Sequence, residues 1–199
     1  LPENSIVNFN LAELEGGANI EIYKEGNNRA IRSQKFSGND KDKPLNFNLN
    51  AGTYYARISP LYSYYSQSNT SYILEASATE IPDRVGNTKE TAKDLGSLNQ
   101  TQTLTDWIGD IDTQDYYKFE LPENSIVNFN LAELEGGANI EIYKEGNNRA
   151  IRSQKFSGND KDKPLNFNLN AGTYYARISP LYSYYSQSNT SYILEASAT

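Results

Sequence analysis

Apolar and polar residues alternate with a period of two along most of the chain. In SIVNFNLAEL (125–134), Val127, Phe129 and Leu131 alternate with Asn128 and Asn130. In ANIEIYKE (138–145), Ile140 and Ile142 alternate with Glu141 and Tyr143, and in PLNFNLN (164–170) Leu165, Phe167 and Leu169 alternate with asparagines. This is the pattern of strands with one buried and one solvated face. GTYYARIS (172–179), SYILEASA (191–198), TLTDWIG (103–109) and DYYKFEL (115–121) add strands rich in aromatic and branched residues, and AIRSQKF (150–156) adds a weaker one. Turn chemistry separates them at Pro122-Glu123-Asn124, Gly136-Gly137, Gly146-Asn147-Asn148, Gly158-Asn159-Asp160 and Ala171-Gly172. Only TKETAKDLG (88–96) reads as a helical turn. The fold class predicted is all-β, an antiparallel, jelly-roll-like β-sandwich with solvated outer faces.

Self-comparison sets the organisation. Residues 1–79 recur without a change as residues 121–199, a period of 120, and residues 80–120 occur once. That period is too long for a solenoid repeat and suits one domain. We read 80–199 as a complete repeat, with 80–100 as its linker or N-terminal segment. Residues 1–79 read as an incomplete first repeat, the C-terminal two-thirds of the same domain. Without counterparts of 103–109 and 115–121, that first copy lacks two strands. Open sheet edges and uncovered apolar surface favour pairing with another chain; truncation by processing is the plainer explanation.

Composition removes whole classes of function. The 199 residues include no Cys, His or Met. Disulfide frameworks, thiolate zinc sites, cysteine nucleophiles, imidazole bases and histidine-dependent metalloprotease sites are therefore excluded. A chain without Met is expected to be a processed product or part of something longer. No apolar run reaches the ~20 residues that span a bilayer, and no membrane-spanning segment is expected. The net charge of −7 argues against nucleic acid as a partner. Most of that charge lies in 80–120, where nine acidic residues face Arg84, Lys89, Lys93 and Lys118.

DRVGNTKETAKDLG (83–96), DWIGDIDTQDYYKFEL (106–121) and LNAGTYYARIS (169–179) together resemble the bacterial pre-peptidase C-terminal domain. The resemblance covers the whole 120-residue unit, and residues 1–79 as its C-terminal portion. It implies a secreted, non-catalytic β-sandwich appended to peptidases or repeated in surface proteins. Related collagen-binding domains bind calcium through a D-x-x-D pair before a double tyrosine and through an acidic N-terminal linker. Asp112 and Asp115 match that pair, and Asp83 and Asn87 are the nearest linker match.

The residues themselves offer a similar candidate. GDIDTQD places Asp110, Asp112 and Asp115 within six positions, and calcium takes six to eight oxygen ligands. Two readings stand: a calcium site at Asp83, Asn87, Asp110, Asp112 and Asp115, or aspartates that cap turns. A second candidate is YYARISPLYSYYSQSNTSY, at 174–192 and 54–72. Its loop tyrosines, Tyr182, Tyr184 and Tyr185 with Tyr62, Tyr64 and Tyr65, suit contact with a ligand or subunit, because tyrosine gives a large contact at low entropic cost. Glu133 and Glu135 lie two apart at a turn and read as solvated charges. Trp107 reads as core. The sequence thus points to a non-catalytic structural repeat, extracellular or on the cell surface, that builds a fibre, array or matrix from copies of itself. The alternative is an accessory module that binds an extracellular polysaccharide or a collagen-like protein.

Overall fold

The alternating segments form strands, and each turns its apolar positions to one side. The computed structural model describes residues 1–37, 44–62, 69–157, 164–182 and 188–199. The strands fall into two units, Leu1–Ile81 and Pro82–Thr199. The first holds β1 (Ser5–Ala12), β2 (Ala18–Lys24), β3 (Arg32–Phe36), β4 (Leu45–Leu49), β5 (Tyr54–Pro60) and β6 (Ile73–Glu80). The second holds β7 (Lys93–Ser97), β8 (Gln102–Ile108), β9 (Asp115–Leu121), β10 (Ser125–Ala132), β11 (Ala138–Lys144), β12 (Arg152–Phe156), β13 (Leu165–Leu169), β14 (Gly172–Pro180) and β15 (Thr190–Ala198).

Unit 2 is a sandwich of two sheets, ordered β13-β10-β15-β8 and β12-β11-β14-β9-β7. From β8 to β15 the chain changes sheet at every connection except the β11–β12 hairpin. This is the strand order of a jelly roll, which the sequence led us to expect. All pairings are antiparallel except β7 with β9. The inner faces share one core. Val127, Phe129 and Leu194 from one sheet meet Tyr117, Phe119, Ile140 and Ile178 from the other, all fully buried. Phe119 lies 5.3 Å from Phe129 in tilted contact and 5.5 Å from Tyr174 in a stacked one. Burial of each such side chain contributes about 1.5–3 kcal/mol, which makes these layers the main stabilising term.

The segment 88–96 departs from the helical turn expected of it. Thr88 and Thr91 close a turn, with Thr91 N–H donating to Thr88 O at 3.2 Å, and residues 93–97 then form β7. The free edge of β9 recruits them, and Leu95 is buried as they pair. Tertiary pairing overrides a weak local preference. Lys89 ties the turn down: its ammonium lies 4.9 Å from the Tyr143 ring centroid and donates to Asn147 O at 2.9 Å. β7 thus lies inside the stretch 80–100 read as a linker.

Unit 1 repeats the same pairings without the closing strands. Its sheets are β4-β1-β6 and β3-β2-β5. The registers match those of unit 2: Phe9 faces Leu45 as Phe129 faces Leu165, and Ile22 faces Ala56 as Ile142 faces Ala176. In unit 2, β15 is flanked by β8 and β14 by β9; β6 and β5 are sheet edges. Identical residues therefore differ in burial. Leu194 is 0% exposed and Leu74 41%; Tyr192 is 1% exposed and Tyr72 45%. Among the described residues no helix is long and apolar enough to cross a membrane.

Candidate functional site

Strand periodicity assembles an acidic cluster at one end of unit 2. Asp115, Tyr117, Phe119 and Leu121 share the inward face of β9, so Asp115 stands where an apolar residue is expected. It is completely buried. Tyr192 on β15 reaches it: the Tyr192 hydroxyl donates to Asp115 Oδ2. Tyr117 Oη lies 2.7 Å from Tyr192 Oη, so Tyr117 is left as the donor to Tyr192. A hydrogen-bonded line thus runs from Tyr117 through Tyr192 to the Asp115 carboxyl group.

Two further aspartates are buried beside it, with different fates. Asp106 accepts from Arg84 N–H at 3.0 Å and from its neighbour Trp107 N–H at 2.9 Å. It fixes the segment before β7 to β8, the turn-capping role set against calcium in the sequence reading. Asp112 sits in the loop after β8, closed by Gly109 N–H donating to Asp112 O at 2.7 Å. With its amide oriented to suit its neighbours, Asn87 donates to Asp112 Oδ1 at 2.8 Å. Gln114 Nε2 donates to Asn87 O at 2.9 Å and holds that loop in place. Among the described residues, Asp112 Oδ2 and Asp115 Oδ1 are buried acceptors with no hydrogen-bond donor.

Such oxygens are costly to ionise. Burial, then the charges of Asp83 and Asp106, push the Asp112 carboxyl up to about 7. Burial, then the charge of Asp112, push Asp115 up to about 9, against the hydrogen bond from Tyr192. Asp106 is also raised, chiefly by burial, although its two backbone donors oppose the shift. Burial first, and then the Asp115 charge, carry the Tyr192 hydroxyl well above its ordinary value.

Of the five residues expected to ligate calcium, the structure brings Asp112, Asp115 and Asn87 together, and Asp83 acts on both aspartates through its charge. Asp110 is exposed, its backbone N–H donating to Asn189 Oδ1 at 2.9 Å. Asp112 and Asp115 offer oxygen, as calcium requires, whereas Asn87, donating to Asp112, turns its amide N–H to the cluster. As placed, no three acidic side chains among the described residues converge on one point. The fit therefore rests on the two orphaned oxygens. Unit 1 has no counterpart of this loop. Tyr117 and Tyr192 join the cluster although neither lies in the acidic loop. The available signal was the acidic residue at the head of an otherwise apolar inward row on β9.

The tyrosine candidates are described in part. Tyr182 is 68% exposed and Tyr62 74% exposed. Tyr184, Tyr185, Tyr64 and Tyr65 lie outside the described residues. Tyr174 fills the core of unit 2, while Tyr175 is half-buried. Glu133 and Glu135 are exposed at a tight turn that Thr190 caps: its Oγ1 accepts from Glu135 N–H at 2.8 Å and Gly136 N–H at 3.1 Å. The outer face of the β10 sheet carries a polar groove of about 470 Å³, lined by Asn128, Asn130, Glu195 and Ser197. The matching residues of unit 1 line one of about 320 Å³.

No family model matches the chain, and no curated protein matches it. Among solved structures, the chain is similar to the pre-peptidase C-terminal domain of a collagenase from Bacillus anthracis: 22% identity over 57% of this chain and 100% of that domain, with a TM-score of 0.42. It is also similar to the periplasmic inhibitor of g-type lysozyme from Aeromonas hydrophila, at 15% identity over 54% of this chain and 98% of that one, TM-score 0.40. The corresponding inhibitor from Salmonella Typhimurium is 16% identical over 54% of this chain and 100% of its own, TM-score 0.36.

Proposed function

We propose that this chain is a non-catalytic structural repeat of a secreted or cell-surface protein, one that builds an extracellular fibre, array or matrix from copies of itself. One observation carries the reading. Two copies of the same 79 residues stand in one chain; in one, β14 and β15 are covered by β9 and β8, and in the other the matching β5 and β6 are sheet edges. Bare edges with uncovered apolar positions favour strand pairing between molecules. A contact that joins one unit to a different face of the next is heterologous and need not close into a ring. Light scattering with negative-stain images of the purified chain tests this. Long regular objects are expected; a monodisperse particle near 22 kDa overturns the reading.

Calcium belongs to the same proposal. Asp112 and Asp115 hold the ion through their orphaned oxygens, with Asn87 and Asp83 beside them, and the ion supplies the positive charge that lets both carboxylates ionise inside the fold. Chelation is expected to lower the melting temperature of unit 2. At about 100 times the dissociation constant the linkage is worth about 2.7 kcal/mol. An unchanged melting temperature removes the ion from the proposal.

A second reading, an accessory module binding an extracellular polysaccharide or a collagen-like protein, draws on exposed Tyr182 and Tyr62. Repetition then provides avidity. Retention of the monomeric chain on a polysaccharide or collagen matrix, lost in the double variant Tyr62→Ser, Tyr182→Ser, is its test.

A further inference from the structure

Unit 2 displays what fits on the bare edges of unit 1. There, β8 lies along β15 and β9 along β14, and every residue of β14 and β15 that receives them has an identical counterpart in unit 1. We infer that unit 1 is a binding site for a polypeptide strand pair with the sequence of Gln102–Glu120, seated in the register that unit 2 shows. The inference specifies the partner in the self-assembly reading and rests on it for its biological sense.

The register follows from the copy. Thr103 comes to lie opposite Glu75, and Leu104 opposite Leu74, as they lie opposite Glu195 and Leu194 in unit 2. Tyr117 comes to lie opposite Ala56, as it does opposite Ala176. The site stops at Glu120 because Leu1 already holds the place of Leu121: Gly52 N–H donates to Leu1 O at 2.9 Å. A one-residue slip turns the inward row outward, so specificity is strict. The two strands enter different sheets, so the ligand clamps both edges at once. A single strand added to one edge cannot do this.

Within these 199 residues the Gln102–Glu120 segment closes unit 2; the occupant proposed for unit 1 is the same segment of another copy of the repeat.

The test adds a synthetic peptide of residues 98–120 to the full chain, and titration calorimetry reads the stoichiometry. One peptide per chain is expected, with binding lost in a peptide carrying Tyr117→Ser and Phe119→Ser. Because the chain has no cysteine, engineered pairs map the register. Residues directly opposite lie about 4.5–5.5 Å apart at Cα, within disulfide reach. Glu75→Cys in the chain is expected to cross-link to a Thr103→Cys peptide about tenfold more than to a Gln102→Cys peptide. Glu195→Cys, whose partner strand is in place, is expected to remain uncoupled. Absent binding, or equal coupling at Glu75→Cys and Glu195→Cys, overturns the inference. Peptide binding by a chain that never forms long objects defeats the fibre reading alone. Long objects from a chain that ignores the peptide defeat this inference alone.

Discussion

Leu194 and Leu74 give a controlled experiment inside one molecule. They have the same neighbours in sequence and the same register on β10 and β1, and they differ only in cover. Leu194 is 0% exposed and Leu74 is 41% exposed. Truncation of a fully buried leucine costs about 2–5 kcal/mol, because the lost transfer energy adds to the cavity left behind. For Leu194→Ala we take about 3 kcal/mol within that range. Leu74→Ala removes methyl groups from a site already open to water, so little cavity forms, and its cost in unit 1 is about 1 kcal/mol or less. Trp107 is the single tryptophan, sits on β8 and is 6% exposed, so its fluorescence reports unit 2. With a urea slope of about 1.5 kcal/mol/M, Leu194→Ala is expected to lower the Trp107 midpoint by about 2 M. Leu74→Ala is expected to leave that midpoint in place. If both variants shift it equally, the separation of the units and the reasoning from cover are both refuted.

Three further expectations follow. In metal-free protein, Asp112 and Asp115 hold their protons in the folded state to about 7 and about 9, while the unfolded carboxyls release theirs near 3.8. The folded state binds more protons at these two sites across that interval, so their contribution to stability is fully present below about pH 4 and is lost as pH rises toward 9; melting temperatures of Asp112→Asn, Asp115→Asn protein that fall as steeply with pH as those of the parent would refute the assignment. Asp115→Asn removes a group that ionises and is expected to flatten that pH slope and to abolish any melting shift on chelation, both read by calorimetry. At Gly109, an added Cβ meets the Trp107 ring at 2.2 Å and Asn189 Oδ1 at 2.3 Å; Gly109→Ala is expected to cost about 1–3 kcal/mol by overpacking, and an unmoved urea midpoint would contradict this.

The period-two alternation determined most of the architecture because each strand faces one core on one side and water on the other. Val127, Phe129 and Leu131 could be placed inward from pattern alone, and they are buried. β7 escaped notice because its pairing comes from the edge of β9, a long-range fact absent from the local run TKETAKDLG. The acidic loop was visible as a cluster of aspartates, but its division of labour was not. Asp106 is satisfied by two backbone donors, whereas Asp112 and Asp115 each keep one unpartnered oxygen. Only the position of Asp115 in an inward row foreshadowed burial. Nor does composition reveal that Tyr192 and Tyr72, identical in every local respect, end at 1% and 45% exposure. That difference is set by strands distant in sequence.

The course of the chain through unit 2 has a mechanical consequence. Arg84 is held at Asp106, opposite Tyr192, whereas Thr199 pairs with Ile126 at the far end of β15. Seven strand residues separate those levels, about 20 Å. Tension applied between entry and exit therefore acts along the strands and loads the short, bulged β7–β9 ladder in shear. Detachment of residues 84–97 frees up to about 45 Å of extended chain while β8 to β15 remain closed. Under load the unit would lengthen first by shedding its outermost strand, and single-molecule stretching should record a small early step ahead of the main rupture; a single rupture with no precursor would exclude such a yielding element.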